Sequence, residues 1–166
     1  MSSPGLSHVD AAGRANMVDV TQKAVTERYA LAEGEIRMLP ETLALIIEDK
    51  LPKGDVLAVA RVAAVQGAKL TSTLIPLCHG LPLTGLDLNI EPLPVDAQGR
   101  AGLRVRAGAH TVAGTGVEME ALTAVGTCLL TLYDMAKAVD RAMSIEGIRL
   151  LEKRGGRSGV WRRPEA

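Results

Sequence analysis

Two hydrophobic periods alternate along this chain and predict its first three elements. Residues 25–38 alternate loosely between apolar and polar side chains, which predicts a strand with a turn or bulge at Gly34. Residues 40–47 predict a short helix, because proline is tolerated in a first helical turn. A second helix is predicted through Lys69 with Asp55 as its N-cap, and its widely spread apolar residues indicate that several sides are covered.

The second half of the chain predicts a hairpin, a long helix and a last strand. Residues 71–83 contain two prolines and predict an irregular apolar loop. Alternation over residues 86–90 and 103–106 predicts an antiparallel hairpin. A third helix is predicted over residues 117–143 and a strand over 145–153. The resulting order is that of the ferredoxin-like split βαβ fold, an α+β class in which helices pack on an antiparallel sheet.

A length of 166 residues fits one domain over residues 1–166, with a flexible N-terminal arm over about residues 1–15 and a tail over about residues 155–166. Hydrophobic residues make up 47% of the chain but aromatic residues only 2%, with no phenylalanine. The core must therefore be built from aliphatic side chains, without the aromatic rings that bury about 150–250 Å² each. We expect subunit contacts to add stability.

Charge and cysteine content limit the partners and the compartment. Nineteen basic residues balance nineteen acidic residues, so no global field draws the protein to nucleic acid or to a membrane. Two cysteines are too few for a disulfide framework, the N-terminal residues do not resemble a signal peptide, and no apolar run reaches membrane-spanning length. We therefore expect a cytoplasmic protein whose anionic ligands meet a local basic cluster.

The third predicted helix has two distinct faces. One stripe is apolar and is expected to face the sheet: Leu122, Val125, Leu129, Leu132, Ala136 and Val139. The opposite face, around Thr127 and Leu130, stays small and nearly uncharged until Asp134. Either a second subunit or the chain's own N-terminal arm is expected to cover this face, and a second subunit would place Asp134 and Lys137 near a subunit boundary.

Polar residues near the predicted loop are candidates for chemistry, and each also has a structural interpretation. His79 follows Cys78 in a proline-stiffened loop, where it could be a general acid or base, hold an anion or be purely structural. With no partner at zinc-like spacing, this pair does not predict a metal site. Lys53, just before a predicted helix, could meet an anion there or could be a solvated surface lysine.

Charged residues around the third helix carry the same ambiguity. Glu118 and Glu120 could cap the helix or act in a site. Asp134 and Lys137 could form a surface ion pair worth under about 1 kcal/mol or take part in catalysis. Residues 153–159 are basic and glycine-rich, without P-loop spacing, and could wrap a phosphate or form a frayed tail. Together these groups suit a phosphorylated, nitrogen-rich substrate and acid–base steps.

Six motifs, read in order, closely resemble those of one family: HVD at 8–10, ANMVDV at 15–20, KGD at 53–55, LIPLCH at 74–79, TGVEMEALT at 115–123 and YDM at 133–135. On these motifs the chain is identified as a member of the molybdenum cofactor biosynthesis protein C family, the cyclic pyranopterin monophosphate synthases. The resemblance extends over about residues 6–160, nearly the whole chain.

The resemblance implies a lyase reaction in molybdenum cofactor biosynthesis. Members of the family take (8S)-3',8-cyclo-7,8-dihydroguanosine 5'-triphosphate, a cyclised dihydro-GTP that an upstream radical enzyme makes, and rearrange it to cyclic pyranopterin monophosphate with release of diphosphate. Their ferredoxin-like subunits assemble as homohexamers, trimers of dimers, with active sites at subunit boundaries. A transient contact with the upstream enzyme is also implied. No cofactor is required, and whether Mg²⁺ accompanies the triphosphate is left open.

The same resemblance assigns roles to individual residues. Asp134 falls at the acid/base position, and Lys53 and Lys137 match the essential lysines. The lysines would neutralise the departing diphosphate or donate a proton, while Asp134 would orient Lys137 or move a proton itself. The remaining assigned residues would bind the substrate: Leu77, Cys78, His79, Met119, Glu120, Glu118, Arg28 and Lys153.

Two positions depart from the family pattern, and one alternative function is retained. Thr73 and Gly80 stand where aspartate and proline are usual, which bears on the rigidity of the loop around His79. The alternative is a non-catalytic oligomeric module that binds a purine or pterin phosphate. An inactive relative of that kind would be expected to have lost Lys53, Asp134 or Lys137, and all three are present.

Overall fold

A computed structural model of the chain describes residue 14 and residues 16–164. The HVD motif at 8–10 and nearly all of the predicted N-terminal arm lie outside the described residues. The division of the chain into one domain with an arm and a tail stays a prediction. In the described part of the chain, no helix combines the length and the apolar character needed to cross a membrane.

The fold is built on one antiparallel sheet of five strands, in the spatial order β2-β3-β1-β4-β5. The strands are β1 (Thr26–Met38), β2 (Leu83–Leu93), β3 (Ala101–Ala113), β4 (Ser144–Arg154) and β5 (Trp161–Arg162). The first four strands have the order of the ferredoxin-like split βαβ fold, which confirms the predicted α+β class. The fifth strand was not predicted, because two residues are too few to show a period.

Four helices complete the described fold: α1 (Pro40–Ile47), α2 (Val56–Lys69), α3 (Thr71–Leu74) and α4 (Glu118–Ala136). Asp55 caps α2 as predicted, since its carboxylate accepts a hydrogen bond from the Ala58 backbone N–H at 2.8 Å. Residues 71–83 were predicted to be irregular throughout, but their first four residues form the short helix α3. Its first residue, Thr71, donates its hydroxyl to the Ala68 carbonyl at 3.0 Å, which ties α3 to the end of α2.

The third predicted helix ends earlier than expected. The prediction extended it to residue 143, but α4 stops at Ala136 with Lys137 as its C-cap. The chain turns away because Asp140 is used elsewhere: its carboxylate accepts a hydrogen bond from the backbone N–H of Ala142 at 3.0 Å and another from that of Leu39 at 2.9 Å. The second contact draws the segment after α4 towards the start of α1.

Small residues let the helices approach the sheet closely, which is how an aliphatic core is made compact. Gly34 in β1 lies under α4, where an added Cβ would lie 2.8 Å from Leu129 and 3.0 Å from Val125. The pairing of β1 with β4 shifts register here, because the two steps from Glu33 to Glu35 face three steps on β4, from Arg149 to Glu146. The bulge therefore lies on β4, opposite Gly34, and the turn or bulge predicted at Gly34 itself was wrong.

The two faces of α4 meet different neighbours. Val125, Leu129 and Leu132 are fully buried on the sheet side, as predicted. Val139, predicted for the same stripe, lies beyond the end of α4 and is 45% exposed, so this part of the prediction was wrong. On the other side, Thr127 packs so closely on Gly67 of α2 that an added Cβ would clash with it. Part of the face that was assigned to a second subunit or to the N-terminal arm is therefore covered by α2 of the same chain. Leu130 remains 62% exposed.

Candidate functional site

The loop after α3 and the start of α4 enclose a cavity of about 340 Å³. It is lined by Val18, Val20, Lys23, Leu77, Cys78, His79, Leu81, Thr115, Gly116, Glu118, Met119 and Glu120. Six of these residues are ones to which the resemblance assigned substrate binding. Three lie in the LIPLCH motif, Leu77, Cys78 and His79, and three lie in the TGVEMEALT motif, Glu118, Met119 and Glu120. We call this space the base pocket, because its size and mixed apolar and polar lining suit a heterocyclic ring system.

Two titratable groups of the base pocket have pKa values above their ordinary ones. Glu120 is only 4% exposed, and burial, with a smaller contribution from Glu118, raises the pKa of its carboxyl. Burial and the nearby Glu120 also raise the pKa of the Cys78 thiol, so this thiol is not prepared to act as a nucleophile. The pocket is therefore built for recognition through a carboxyl group, a thiol and an imidazole.

A second cavity of about 690 Å³ lies beside the base pocket and is strongly basic. Of the residues that the structure describes, four cations line it, Lys23, Arg28, Lys153 and Arg157, against one carboxylate, that of Glu118. Lys153 Nζ lies 3.1 Å from Glu118 Oε1. This excess of positive charge suits a polyphosphate, and we call the space the phosphate pocket.

Backbone contacts fix the position of Arg28 in the phosphate pocket. Its Nε donates to the Ala113 carbonyl at 3.3 Å. Gly156, in the left-handed region at φ +71°, lies against the guanidinium, where any added Cβ would clash. The basic, glycine-rich segment after β4 is therefore folded around Arg28 rather than frayed.

The three residues assigned to catalysis form a separate cluster at the other end of α4. Asp134 Oδ2 lies 3.0 Å from Lys53 Nζ, and Asp134 Oδ1 lies 2.6 Å from Lys137 Nζ. Lys53 also donates to the backbone carbonyl of Asp134 at 2.9 Å. Lys137, and then Lys53, hold the pKa of the Asp134 carboxyl below its usual value, so this carboxylate stays ionised.

One chain does not bring all the predicted site residues together. Sixteen helical positions separate Glu118 from Asp134, which corresponds to about 24 Å along α4. The base and phosphate pockets lie at one end of this helix, and the two-lysine cluster lies at the other, beside a shallow apolar groove between α2 and α4. All three side chains of the cluster are about half exposed.

The segment before β1 was missed as part of the site. Val18, Val20 and Lys23 line the base pocket, and hydrogen bonds from Thr21, with a weaker attraction from His79, lower the pKa of Asp19. The ANMVDV motif at 15–20 was the available signal, but its composition suggests no chemistry by itself. Arg157 was also missed, because it lies in a segment with two competing interpretations.

No three His, Cys, Asp or Glu side chains in the described part of the chain are grouped as metal ligands. The two pockets and the cluster present amines, guanidinium groups and carboxylates, with the thiol of Cys78 and the imidazole of His79 in the base pocket. Such groups bind anions and transfer protons.

Comparison with known proteins gives one consistent result. The model of the MoaC family matches residues 17–156. A protein from Chloroflexus aggregans is 58% identical over 161 residues, covering 97% of this chain and 95% of the relative. A protein from Chloroflexus aurantiacus is 57% identical over 159 residues, covering 96% and 95%. Both relatives carry the name cyclic pyranopterin monophosphate synthase.

Proposed function

Because the chain belongs to the MoaC family, we propose that it converts (8S)-3',8-cyclo-7,8-dihydroguanosine 5'-triphosphate to cyclic pyranopterin monophosphate and diphosphate. The reaction class is that of a phosphorus–oxygen lyase in molybdenum cofactor biosynthesis. The observation that carries the proposal is the pair of adjoining pockets, one suited to a heterocycle and one lined by four cations. A substrate with a ring system and a triphosphate has the charge and shape to occupy both.

The proposed active site combines residues of two subunits. The lysine cluster lies about 24 Å along α4 from the pockets, too far to act on the same substrate within one chain. Exposed apolar side chains of α2, α3 and α4, and of the residue between α2 and α3, offer surface for association: Val59, Val62, Leu70, Leu74 and Leu130. A homohexamer, built as a trimer of dimers, would place the cluster of one chain against the pockets of another.

Within such a site, Asp134 would act as an anchor for two ammonium groups. Its lowered pKa makes it a weak base, while Lys53 and Lys137 bring two ammonium groups to one carboxylate. The lysines would stabilise negative charge on the departing diphosphate and supply a proton. This assignment favours an indirect role for Asp134.

The remaining parts of the proposal concern cofactor, compartment and partner. The proposed reaction requires no cofactor. Among the described residues, Glu118 is the one carboxylate that lines the phosphate pocket and could meet a Mg²⁺ ion brought in by the triphosphate. Two free thiols, Cys78 and Cys128, suit a cytoplasmic location. The unstable nature of a cyclised dihydro-GTP suits transient contact with the radical enzyme that makes it.

The direct test is incubation of the purified protein with the cyclised dihydro-GTP, followed by detection of diphosphate and pterin. We expect both products in equal amounts, and none with Lys53→Ala or Lys137→Ala, which leave the pockets unchanged. Tight binding of the substrate without either product would instead support the non-catalytic phosphate-binding module.

A further inference from the structure

The base pocket and the phosphate pocket share a wall, and one cation belongs to both. Four residues line both cavities: Lys23, Thr115, Gly116 and Glu118. Lys23 is the only one of them with a positive charge. The other three cations of the phosphate pocket, Arg28, Lys153 and Arg157, do not line the base pocket.

Local structure holds Lys23 at this junction. Asp19 accepts a hydrogen bond from the Thr21 backbone N–H at 2.8 Å, and the Lys23 backbone N–H donates to the Val20 carbonyl at 3.0 Å. These contacts fold residues 19–23 into a turn. Gly114 packs beneath the turn, where an added Cβ would lie 3.5 Å from Lys23 Cβ.

The ammonium group of Lys23 is available to a ligand. It is exposed and has no hydrogen-bond or ion-pair partner among residue 14 and residues 16–164. Lys153, by comparison, is already paired with Glu118, and Arg28 is bonded to the Ala113 carbonyl. A free ammonium group at the boundary between two compartments is suited to the part of a ligand that crosses from one to the other.

We propose that Lys23 binds the α-phosphate of the substrate, the phosphate that is retained in the product, while the cations that line the phosphate pocket alone bind the β- and γ-phosphates. This assignment rests on the proposed function. It follows from order along the ligand, since the α-phosphate is the group nearest the heterocycle. Arg157, which lines the phosphate pocket alone, is the matching residue for the leaving diphosphate.

The assignment gives Lys23 a role in the step that closes the cyclic phosphate. In that step a substrate hydroxyl oxygen forms a bond to the α-phosphorus, and the bond from that phosphorus to the bridging oxygen breaks. The diphosphate leaves with the electron pair, and the hydroxyl proton passes to a base. Lys23 would hold the α-phosphate in line for attack and offset charge on its non-bridging oxygens.

The test compares Lys23→Gln with Arg157→Gln, and uses Lys50→Gln as a control at an exposed lysine remote from the pockets. Steady-state kinetics with the cyclised dihydro-GTP are combined with inhibition by inorganic diphosphate and with substrate binding measured by calorimetry.

For Lys23→Gln we expect kcat/KM to fall by about tenfold or more and diphosphate inhibition to stay unchanged, because one charge-assisted hydrogen bond is lost. For Arg157→Gln we expect weaker inhibition by diphosphate. Lys23→Arg should retain most of the wild-type activity.

Each result decides the assignment. Wild-type kinetics in Lys23→Gln, or a loss of diphosphate inhibition as large as in Arg157→Gln, would overturn it. If the wild-type protein made no product, the proposed function would fail, but weaker substrate binding by Lys23→Gln would still support the contact. If the wild type and Lys23→Gln then bound the substrate equally well, the assignment of Lys23 would be refuted. Unchanged thermal unfolding of Lys23→Gln would exclude a folding defect.

Discussion

The carboxylate of Asp140 lies 2.9 Å from the backbone nitrogen of Leu39 and accepts its hydrogen bond, although 101 residues separate them along the chain. The same carboxylate accepts a bond from the hydroxyl of Thr42 at 3.3 Å, in the first turn of α1. A residue after α4 therefore caps α1, which has no cap from its own N-terminal flank. Asp140 also connects the segment that carries Lys137 with the helix that precedes Lys53.

The first prediction follows from this contact. Replacing Asp140 with alanine leaves the buried hydroxyl of Thr42 and the backbone N–H of Leu39 without their common partner. We expect the free energy of unfolding to fall by about 1–3 kcal/mol, measured by chemical denaturation. Glu48→Gln, at an exposed ion pair, is the control and should change stability little. Equal stability of Asp140→Ala and the wild type would contradict the capping role.

A second prediction concerns the contact between α2 and α4. Gly67→Ala would force a methyl group into the side chain of Thr127, and we expect a loss of about 1–3 kcal/mol in the free energy of unfolding. Gly126 in α4 is the matched control, because an added Cβ there meets nothing within 4 Å. Gly126→Ala should stabilise the protein by about 0.4–1 kcal/mol. A stabilising Gly67→Ala would show that the helices can separate without cost.

A third prediction distinguishes the two roles considered for Asp134. If it anchors Lys53 and Lys137, Asp134→Asn should lower kcat by about 100-fold or more, since both ammonium groups lose their common partner. The pKa of Asp134 is held below its usual value, so the pH dependence of wild-type activity near neutral pH should contain no step from the ionisation of this carboxyl. The opposite result would be a wild-type activity that falls as the pH is lowered from about 7 to 5, together with an Asp134→Asn activity that does not change over this range. That result would mean that Asp134 moves the proton itself.

A fourth prediction tests the sharing of sites between subunits. Lys137→Ala inactivates one end of α4, and Glu120→Gln weakens the pocket at the other end. If each site combines two chains, unfolding and refolding the two variants together should restore about a quarter of wild-type activity through hybrid interfaces. Mixing either variant with itself is the control. No recovery in the mixture would place the complete site within one chain.

A fifth prediction concerns stability against acid. Glu33 is buried on the sheet face away from α4, and this burial raises the pKa of its carboxyl. Hydrogen bonds from Arg149 and Arg106 outweigh the effect of burial and leave the pKa below its usual 4.5. A depressed pKa in the folded state stabilises the protein above about pH 4.5, and this contribution disappears as the pH falls through the folded-state pKa.

Glu33→Gln should therefore be less stable than the wild type at pH 7 by about 1–3 kcal/mol, and the difference should shrink below about pH 4.5. Denaturation by urea at several pH values measures it. Glu27→Gln, at an exposed position of the same strand, is the control. A constant difference from pH 7 to pH 3 would show that packing, rather than charge, accounts for the effect.

Sequence patterns predicted the elements whose periods are long enough to detect. The alternation in β1 and the capping residue of α2 follow from local chemistry, and both were predicted correctly. The end of α4 was predicted wrongly, because Asp140 accepts hydrogen bonds from Leu39 and Thr42, which lie about 100 residues earlier in the chain. No local sequence pattern reveals such distant partners. The strand β5 depends in the same way on pairing with β4.

The candidate site was predicted in part. The two short motifs that carry His79 and Glu120 meet in one pocket, and that this pocket binds the substrate stays a prediction. Lys23 could not be recognised, because an isolated lysine gains meaning only from the two cavities that it borders. The distance between the pockets and Asp134 was equally invisible, since a motif gives no information about how far its residues lie from those of another motif.

The single tryptophan has a practical consequence for future measurements. Trp161 lies in β5, opposite Lys153 of β4, and is 39% exposed, while the core contains no other indole and no phenylalanine. Its fluorescence therefore reports on the C-terminal strand beside the phosphate pocket and hardly on the core. A ligand that orders this edge should change the emission without any unfolding, so the chain carries its own optical probe of occupancy.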